Sequence, residues 1–109
     1  MIEVICVDDK NRPKEIPAID WVKEGEQYHV THISLQVNQM ENGQVVSGCD
    51  LYEKPLSIEK HSPYECFRLS RFACTKENVE ALIQMMIDCY NLPKIEVEKL
   101  IEESELQVN

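Results

Sequence analysis

Cysteine and histidine are the side chains in this sequence with the widest chemistry, as metal ligands or as catalytic groups. The chain has five cysteines and three histidines in 109 residues. Cys49, Cys66, Cys74 and His61 are of the types that bind zinc, but structural zinc draws on ligand pairs at tight spacing, so that one turn delivers two ligands. The sequence has no such pair. We therefore predict no metal site and no cofactor, and interpret the cysteines as small core residues.

A nucleophilic cysteine is the remaining catalytic alternative. It needs a base beside it, and a glycine-rich turn or an acidic pair at a working separation would strengthen that interpretation. The sequence shows neither signal. A small cysteine-dependent enzyme is therefore the least favoured alternative, and we predict no enzymatic activity and no catalytic residues.

The run VICVDD ends in Asp8 and Asp9, an acidic pair like the one that helps to bind magnesium in the receiver domains of bacterial two-component signalling. That fold requires an amphipathic helix after its first strand. The segment that follows here contains Pro13, Pro17 and Gly25, which predict loop and turn. We therefore reject the receiver interpretation and expect the two aspartates to serve turn formation.

Arg68 and Arg71, three positions apart in FRLSRF, are candidates for binding an anionic group. If the strand slips at Ser70, both guanidinium groups reach the same side of the sheet. In one interpretation they pair with carboxylates such as Glu53 or Glu65. In the other they bind an anionic group of a partner bidentately. The candidate binding residues are Trp21, Tyr64, Arg68 and Arg71.

Trp21 is the one tryptophan of the chain and lies in the loop before the first long strand. Large aromatic side chains in such loops can anchor a partner protein. The other interpretation is that Trp21 closes the open end of its own core.

The middle of the chain predicts antiparallel sheet. Residues 27–37 are rich in β-branched and aromatic types. Their apolar positions change parity between Val30 and Ile33, and a strand can do this without changing its buried face only through a bulge. We therefore predict a bulge near Thr31 and His32.

The next apolar run predicts a hairpin with a three-residue loop at residues 41–43. This loop pairs Leu35 with Cys49 and Ile33 with Leu51, which keeps the apolar face continuous. A two-residue Asn-Gly turn would mix the two faces. We choose the three-residue loop.

The remainder of the chain predicts an irregular linker, a strand and two helices. The linker of residues 54–63 contains two prolines, and a strand is expected over residues 64–73. Thr75 is the expected N-cap of a helix over residues 76–90, whose apolar residues recur at spacings of three and four. The tail of residues 95–109 predicts a shorter second helix.

Strands followed by helices place the chain in the α+β class, as a small antiparallel and strongly curved sheet followed by two C-terminal helices. We predict a single domain, residues 1–109, with a sheet part (1–74) and a helical part (75–109). The sheet part resembles a group of small proteins of bacteria and their phages, and this resemblance implies a Src-homology-like small barrel without implying an activity. The matching residues are Lys23, Gly25, Tyr28, Val30, Leu51, Glu53, Arg71 and Phe72.

Charge indicates the class of partner. The net charge of −9 comes from 20 acidic and 11 basic residues, and a field of this sign disfavours nucleic acid and anionic membranes. We expect a protein partner, no nucleic acid, no membrane and a cytoplasmic location with reduced cysteines.

The predicted function is a non-enzymatic protein-interaction or regulatory module. The alternative is an acidic DNA mimic or another phage-type inhibitor, which would need carboxylates arrayed along one face, whereas a protein-binding module should show an apolar patch with a polar rim. Because a small barrel is not expected to cover the whole apolar stripe, we also expect a homodimer through the C-terminal helices.

Overall fold

The computed structural model describes residues 1–38 and 45–109 of the chain. Within these residues the fold is α+β, as predicted. The strands are β1 (Ile2–Cys6), β2 (Gln27–Asn38), β3 (Val45–Leu51), β4 (Phe67–Arg68), β5 (Phe72–Cys74) and β6 (Gln107–Val108). The helices are α1 (Ile58–His61), α2 (Lys76–Tyr90) and α3 (Lys94–Glu103), and two 3₁₀ turns cover Ala18–Asp20 and Leu69–Arg71.

The six strands form one sheet in the order β4-β3-β2-β1-β5-β6, and every pair is antiparallel except β5 with β6. In a flat sheet β4 and β5 would lie four strand spacings apart, about 19 Å. Only the turn of residues 69–71 joins them, and the four residue steps from Arg68 to Phe72 span at most about 14 Å. The sheet is therefore curved. In the described residues it is not closed, and β4 and β6 form its two edges.

The bulge predicted in β2 is confirmed. Val30 pairs with Leu51, whereas the next paired position joins His32 to Asp50. Thr31 is therefore the extra residue on β2. The bulge lets Val30 and Ile33 both lie in the core although their spacing has the wrong parity for a regular strand.

The register predicted for the hairpin is wrong. Ile33 pairs with Cys49 and not with Leu51, so Leu35 is not the partner of Cys49 either. The difference is a shift of two residues, which leaves every side chain on its original face, so the continuity of the apolar face could not choose between the two registers. The predicted turn at residues 41–43 lies outside the described residues.

The segment between β3 and α2 differs from the prediction in two ways. The linker expected to be irregular contains α1, whose first turn is capped by the Ser57 side chain, which accepts a hydrogen bond from the Lys60 N–H. The strand expected over residues 64–73 is divided into β4 and β5 by the 3₁₀ turn, which includes the predicted slip at Ser70. Phe67 and Phe72 are both buried at an odd spacing, which a continuous strand does not allow on one face.

The two predicted C-terminal helices are confirmed. Thr75 is the N-cap of α2 and accepts a hydrogen bond from the Asn78 N–H at 3.2 Å. Asn91 ends the helix in the left-handed conformation, with φ of 53°, as asparagine often does. The short parallel strand β6 was not predicted, because two residues carry no periodic signal.

Helix α2 is held against the sheet by its apolar stripe and by two polar side chains. The Asn78 Nδ2 donates to the Glu3 carbonyl at 3.0 Å, and the Tyr90 hydroxyl donates to the Ile33 carbonyl. These carbonyls belong to adjacent strands, β1 and β2. The core between the sheet and the helices includes Val4, Tyr28, Val30, Leu51, Phe72, Leu82, Met86 and Val97. In the described part of the chain, none of the helices has the length and apolar character to span a membrane.

Candidate functional site

The 3₁₀ turn in the first long loop brings the loops of this fold together. Pro17 precedes the turn, and its carbonyl accepts the Asp20 N–H at 2.9 Å. The Ala18 carbonyl accepts the Trp21 N–H at 3.2 Å. We call residues 18–21 the loop junction, because three consecutive residues in it each contact a residue that is distant in the sequence.

Each of these three contacts uses a different kind of group. The Ile19 carbonyl accepts a hydrogen bond from Lys54 Nζ at 2.8 Å. The Asp20 carboxylate lies 2.9 Å from His61 Nε2. The Trp21 Nε1–H donates to the carbonyl of Asp9 at 2.7 Å, which ties the junction to the end of β1. The junction is therefore fixed to the linker at two points and to the first loop at one.

Trp21 lies between the core and Arg71. Its ring packs against Phe67, with 5.5 Å between centroids, and the Arg71 guanidinium carbon lies 4.8 Å from its ring centroid. The same guanidinium donates to the carbonyls of Asp8 and Lys10, at 3.2 and 2.8 Å, and lies 3.5 Å from the Asp8 carboxylate. This arrangement agrees with a tryptophan that closes its own core, and it makes Arg71 part of the fold.

The carboxylate that meets Arg71 is neither of the two that the sequence suggested. It is Asp8, which lies at the start of the first loop. Glu53 instead pairs with His29, through the His29 backbone N–H at 2.8 Å and through the imidazole Nδ1. Partial burial would raise the pKa of Glu53, but the hydrogen bonds from His29 outweigh it and lower the pKa.

Arg68 has different surroundings from Arg71. It lies on the edge strand β4, where its Cα is paired with Gly48. Its Nε atom is buried and has no hydrogen-bond acceptor among the described residues. A buried donor without an acceptor is uncommon in folded proteins. The structure therefore separates the roles of the two arginines that the sequence grouped together.

Tyr64, the fourth predicted binding residue, is half-buried at the end of the linker. Its N–H donates to the His61 carbonyl at 2.8 Å. His61 in turn contacts Asp20. Tyr64 is thus connected to the loop junction through the backbone of α1.

His61 contacts the loop junction through Asp20, and the sequence analysis did not place it there. Its side chain is 4% exposed, and its Nδ1 accepts the Ser57 N–H at 3.1 Å. Its other nitrogen, Nε2, is the one that contacts the Asp20 carboxylate. Asp20 and His61 are 41 positions apart, and no sequence signal connects them.

Among the described residues there is no group of three metal-ligating side chains.

Three large apolar side chains are exposed on the segments that the junction joins. Ile19 is 79% exposed, Tyr52 66% and Ile58 52%. Ile19 belongs to the junction itself, and the other two flank Lys54, whose ammonium group contacts the Ile19 carbonyl. We call Ile19, Tyr52 and Ile58 the junction surface. Ile19 gave no sequence signal, because a single isoleucine in a loop has no periodicity.

Of the acidic pair at the end of β1, Asp8 makes the local turn contact that was predicted, whereas Asp9 reaches across the first loop. The Lys10 N–H donates to the Asp8 carboxylate at 2.9 Å, and the Glu24 N–H donates to the Asp9 carboxylate at 3.0 Å. Both carboxylates therefore hold the first loop in shape.

Burial makes two of the cysteines, Cys49 and Cys66, poor nucleophiles. Burial raises the pKa of Cys66 to about 11, and the carboxylates of Asp50 and Glu65 raise it further. Burial also raises the pKa of Cys49 well above its ordinary value. The attacking species in cysteine chemistry is the thiolate, and these two thiols remain protonated at neutral pH.

Comparison of the chain with protein-family models, with curated proteins and with solved structures finds no match. The resemblance to small barrel proteins therefore stays a prediction. What the chain does has to be inferred from the loop junction, the junction surface and the two arginines.

Proposed function

We propose that this chain is a non-enzymatic protein-interaction module whose contact surface is the junction surface. The observation that carries the proposal is Ile19, an isoleucine 79% exposed on a turn whose two following residues, Asp20 and Trp21, are both fixed by contacts to other segments. Because the backbone that carries Ile19 is already held, less conformational entropy is lost when a partner binds there.

The surroundings of Ile19 support a protein partner. Interfaces combine an apolar centre with a polar rim, and Tyr52 and Ile58 supply apolar area while Lys54 and Asp20 supply polar groups. Lys54 and Asp20 both point into hydrogen bonds of the junction itself, so the rim is ordered before a partner arrives. Such order favours tight association, because fewer groups are immobilised on binding.

The state of the thiols supports an absence of catalysis and a reducing compartment. All five cysteines are unpaired, and the elevated pKa of Cys66 makes it a poor nucleophile. Unpaired cysteines are typical of the cytoplasm, which is where we place this module.

We also propose that the curved sheet is a small barrel of the Src-homology kind. The strand order supports this, because β4 and β5 are separated by three strands in the sheet and by three residues in the chain. Recognition surfaces on such folds are carried by loops at one end. In this proposal the loop junction belongs to that set of loops.

Selection of ligands from a random-peptide library tests the function. We expect the wild-type protein to enrich peptides with apolar residues, and the Ile19→Glu variant to bind them at least about tenfold more weakly, a loss of about 1.4 kcal/mol. Ile95→Glu is the matched control, because Ile95 is 80% exposed on α3, and we expect it to bind as the wild type does. Equal binding by the Ile19→Glu variant, or no enrichment by the wild type, would contradict the proposal.

The acidic surface of α3 favours one alternative function, a DNA mimic that occupies a basic protein. Glu96, Glu98, Glu102 and Glu103 are all exposed on this helix. The same selection separates the two functions. A DNA mimic predicts peptides rich in lysine and arginine, whose binding is lost when these glutamates are changed to glutamine and is kept in Ile19→Glu.

Self-association through the C-terminal helices is a separate proposal. Fewer exposed apolar side chains support it than the sequence suggested. The stripe of α2 is buried within the chain at Val79, Leu82, Ile83 and Met86. Of the large apolar side chains described in α2 and α3, Ile95 is the exposed one. A homodimer predicts that Ile95→Glu lowers the sedimentation coefficient at high concentration, whereas a monomer predicts no change.

A further inference from the structure

We infer that Arg68 binds a carboxylate side chain of the protein partner, so that the partner must present one aspartate or glutamate at a fixed distance from its apolar contacts. This inference rests on the proposed function and adds a chemical requirement to it. Its basis is the state of the Arg68 guanidinium, which differs from that of the other two arginines of the chain.

The Arg68 guanidinium is buried at one edge. Its Nε atom is buried and lacks an acceptor among the described residues, and none of the described carboxylates forms an ion pair with its terminal nitrogens. The side chain as a whole is half-buried. Burial of one edge of the planar group limits its rotation, so in this inference the two terminal N–H groups are the ones that meet the partner. Two parallel N–H donors match the two oxygens of a carboxylate.

Among the described residues, Arg68 differs from the other two arginines in having no partner within the protein. Arg12 donates to the Ile16 carbonyl at 2.6 Å, and Arg71 donates to the carbonyls of Asp8 and Lys10. In the part of the chain that the structure describes, no carboxylate lies within ion-pair distance of Arg68, although the sequence is rich in acidic residues. A guanidinium left unpaired in a protein with a net charge of −9 is available to an outside anion.

The net charge of the chain favours a carboxylate over a phosphate as the anion that Arg68 binds. A phosphate monoester carries about −1.5 to −2 charges at neutral pH, whereas a carboxylate carries one. The field of a chain with a net charge of −9 opposes the more highly charged group more strongly. Half-burial of the guanidinium strengthens the pair, because screening by water is reduced. A single carboxylate on an otherwise apolar segment therefore fits best.

Arg68 follows directly after a residue that contacts the loop junction. Phe67, the preceding residue, packs on Trp21 of the loop junction. Because successive strand residues point to opposite faces, Arg68 points to the other face of β4. Since β4 is an edge of the sheet, a partner segment that runs along this edge can reach both faces. The acidic residue is then expected at a constant offset from the apolar ones.

Parallel selections from one random-peptide library test the inference. The baits are the wild type, Arg68→Gln, Arg68→Lys and, as the matched control, Arg12→Gln. We expect the wild-type and Arg12→Gln pools to share an acidic residue at one position, and the Arg68→Gln pool to lose it. A wild-type peptide should bind Arg68→Gln about tenfold more weakly, a loss of about 1.4 kcal/mol. Arg68→Lys should be intermediate, because lysine keeps the charge without the bidentate geometry.

The outcomes separate this inference from the proposed function. Pools with the same consensus from the wild type and Arg68→Gln, at equal affinity, overturn the inference and leave the interaction module standing. A wild type that enriches nothing contradicts both. Inorganic phosphate that displaces the peptides, where chloride of equal ionic strength does not, overturns carboxylate recognition in favour of phosphate. If Arg68→Gln does not fold, Arg68→Lys decides, since its charge and length are retained.

Discussion

The guanidinium of Arg71 lies over the indole ring of Trp21, with its central carbon 4.8 Å from the ring centroid. Through its bonds to the carbonyls of Asp8 and Lys10 the same group holds the start of the first loop. One side chain therefore connects the turn before β5 with both ends of the loop that carries the junction. We expect the shape of the proposed contact surface to depend on this connection.

Arg71→Lys is expected to lower the free energy of unfolding by about 1–3 kcal/mol, because an ammonium group cannot stack on the ring and serve two carbonyls at once. Urea denaturation measures the change. Arg12→Lys is the matched control, since Arg12 is exposed and donates to one described acceptor, and its expected change is below about 0.5 kcal/mol. Equal losses in the two variants would show that Arg71 does not hold the loop.

Gly48→Ala is expected to destabilise the sheet edge by overpacking. A Cβ at this position would lie 2.5 Å from the Cys66 sulfur and 3.0 Å from the Phe67 carbonyl oxygen. The expected loss is about 1–3 kcal/mol. Adding Cys66→Ala removes the sulfur, so the double variant should be more stable than the sum of the two single changes, by about 0.5 kcal/mol or more. Strict additivity in the thermodynamic cycle would refute this packing.

Glu53 predicts a dependence of stability on acid pH. Its pKa is lower in the folded protein than the ordinary value of 4.5, because the hydrogen bonds from His29 outweigh the opposing effect of burial. The ionised carboxylate therefore stabilises the fold above that ordinary value, and the stabilisation is lost as the pH falls through the folded value. We expect Glu53→Gln to lose about 0.5–1 kcal/mol near neutral pH, and we expect this loss to shrink as the pH falls below 4.5.

The measurement for Glu53 is urea denaturation of the wild type and Glu53→Gln across that pH range. Glu102→Gln, at an exposed position of α3, serves as the control for the loss of one charge. A difference between the wild type and Glu53→Gln that stays constant with pH would contradict the pairing with His29.

The thiols predict a selective reaction with alkylating reagents. Cys89 is exposed on α2, whereas Cys6, Cys49 and Cys74 are buried. The pKa of Cys66, about 11, leaves less than about 0.1% of it as thiolate at neutral pH. Mass spectrometry after brief treatment with iodoacetamide should find label on Cys89 first, and Cys89→Ser should react slowly. Rapid labelling of Cys66 would instead support the alternative that the chain is a cysteine-dependent enzyme.

The features that were predictable from the sequence are those fixed by neighbouring residues. The helix α2 follows from its apolar spacing and from Thr75, and the bulge at Thr31 follows from a change of parity within one strand. The hairpin register was not predictable in the same way, because pairing Ile33 with Cys49 or with Leu51 leaves the buried face unchanged.

The candidate site depended on contacts that sequence patterns do not record. Asp20 and His61 meet across 41 positions, and their types are common on any surface. In one of the two interpretations Arg71 pairs with a carboxylate such as Glu53 or Glu65, whereas it contacts the Asp8 carboxylate and main-chain carbonyls, and a carbonyl is present at every residue. Only the folded chain shows which of the two arginines is already occupied.

The most direct test of the proposed contact surface is the map of backbone amide shifts when a selected peptide is titrated into the labelled protein. We expect the largest changes at residues 18–21 and 52–61, at the same peptide concentration that saturates binding, with small changes along α3. Largest changes in residues 76–103, with the loop junction unaffected, would contradict the account and assign binding to the helices.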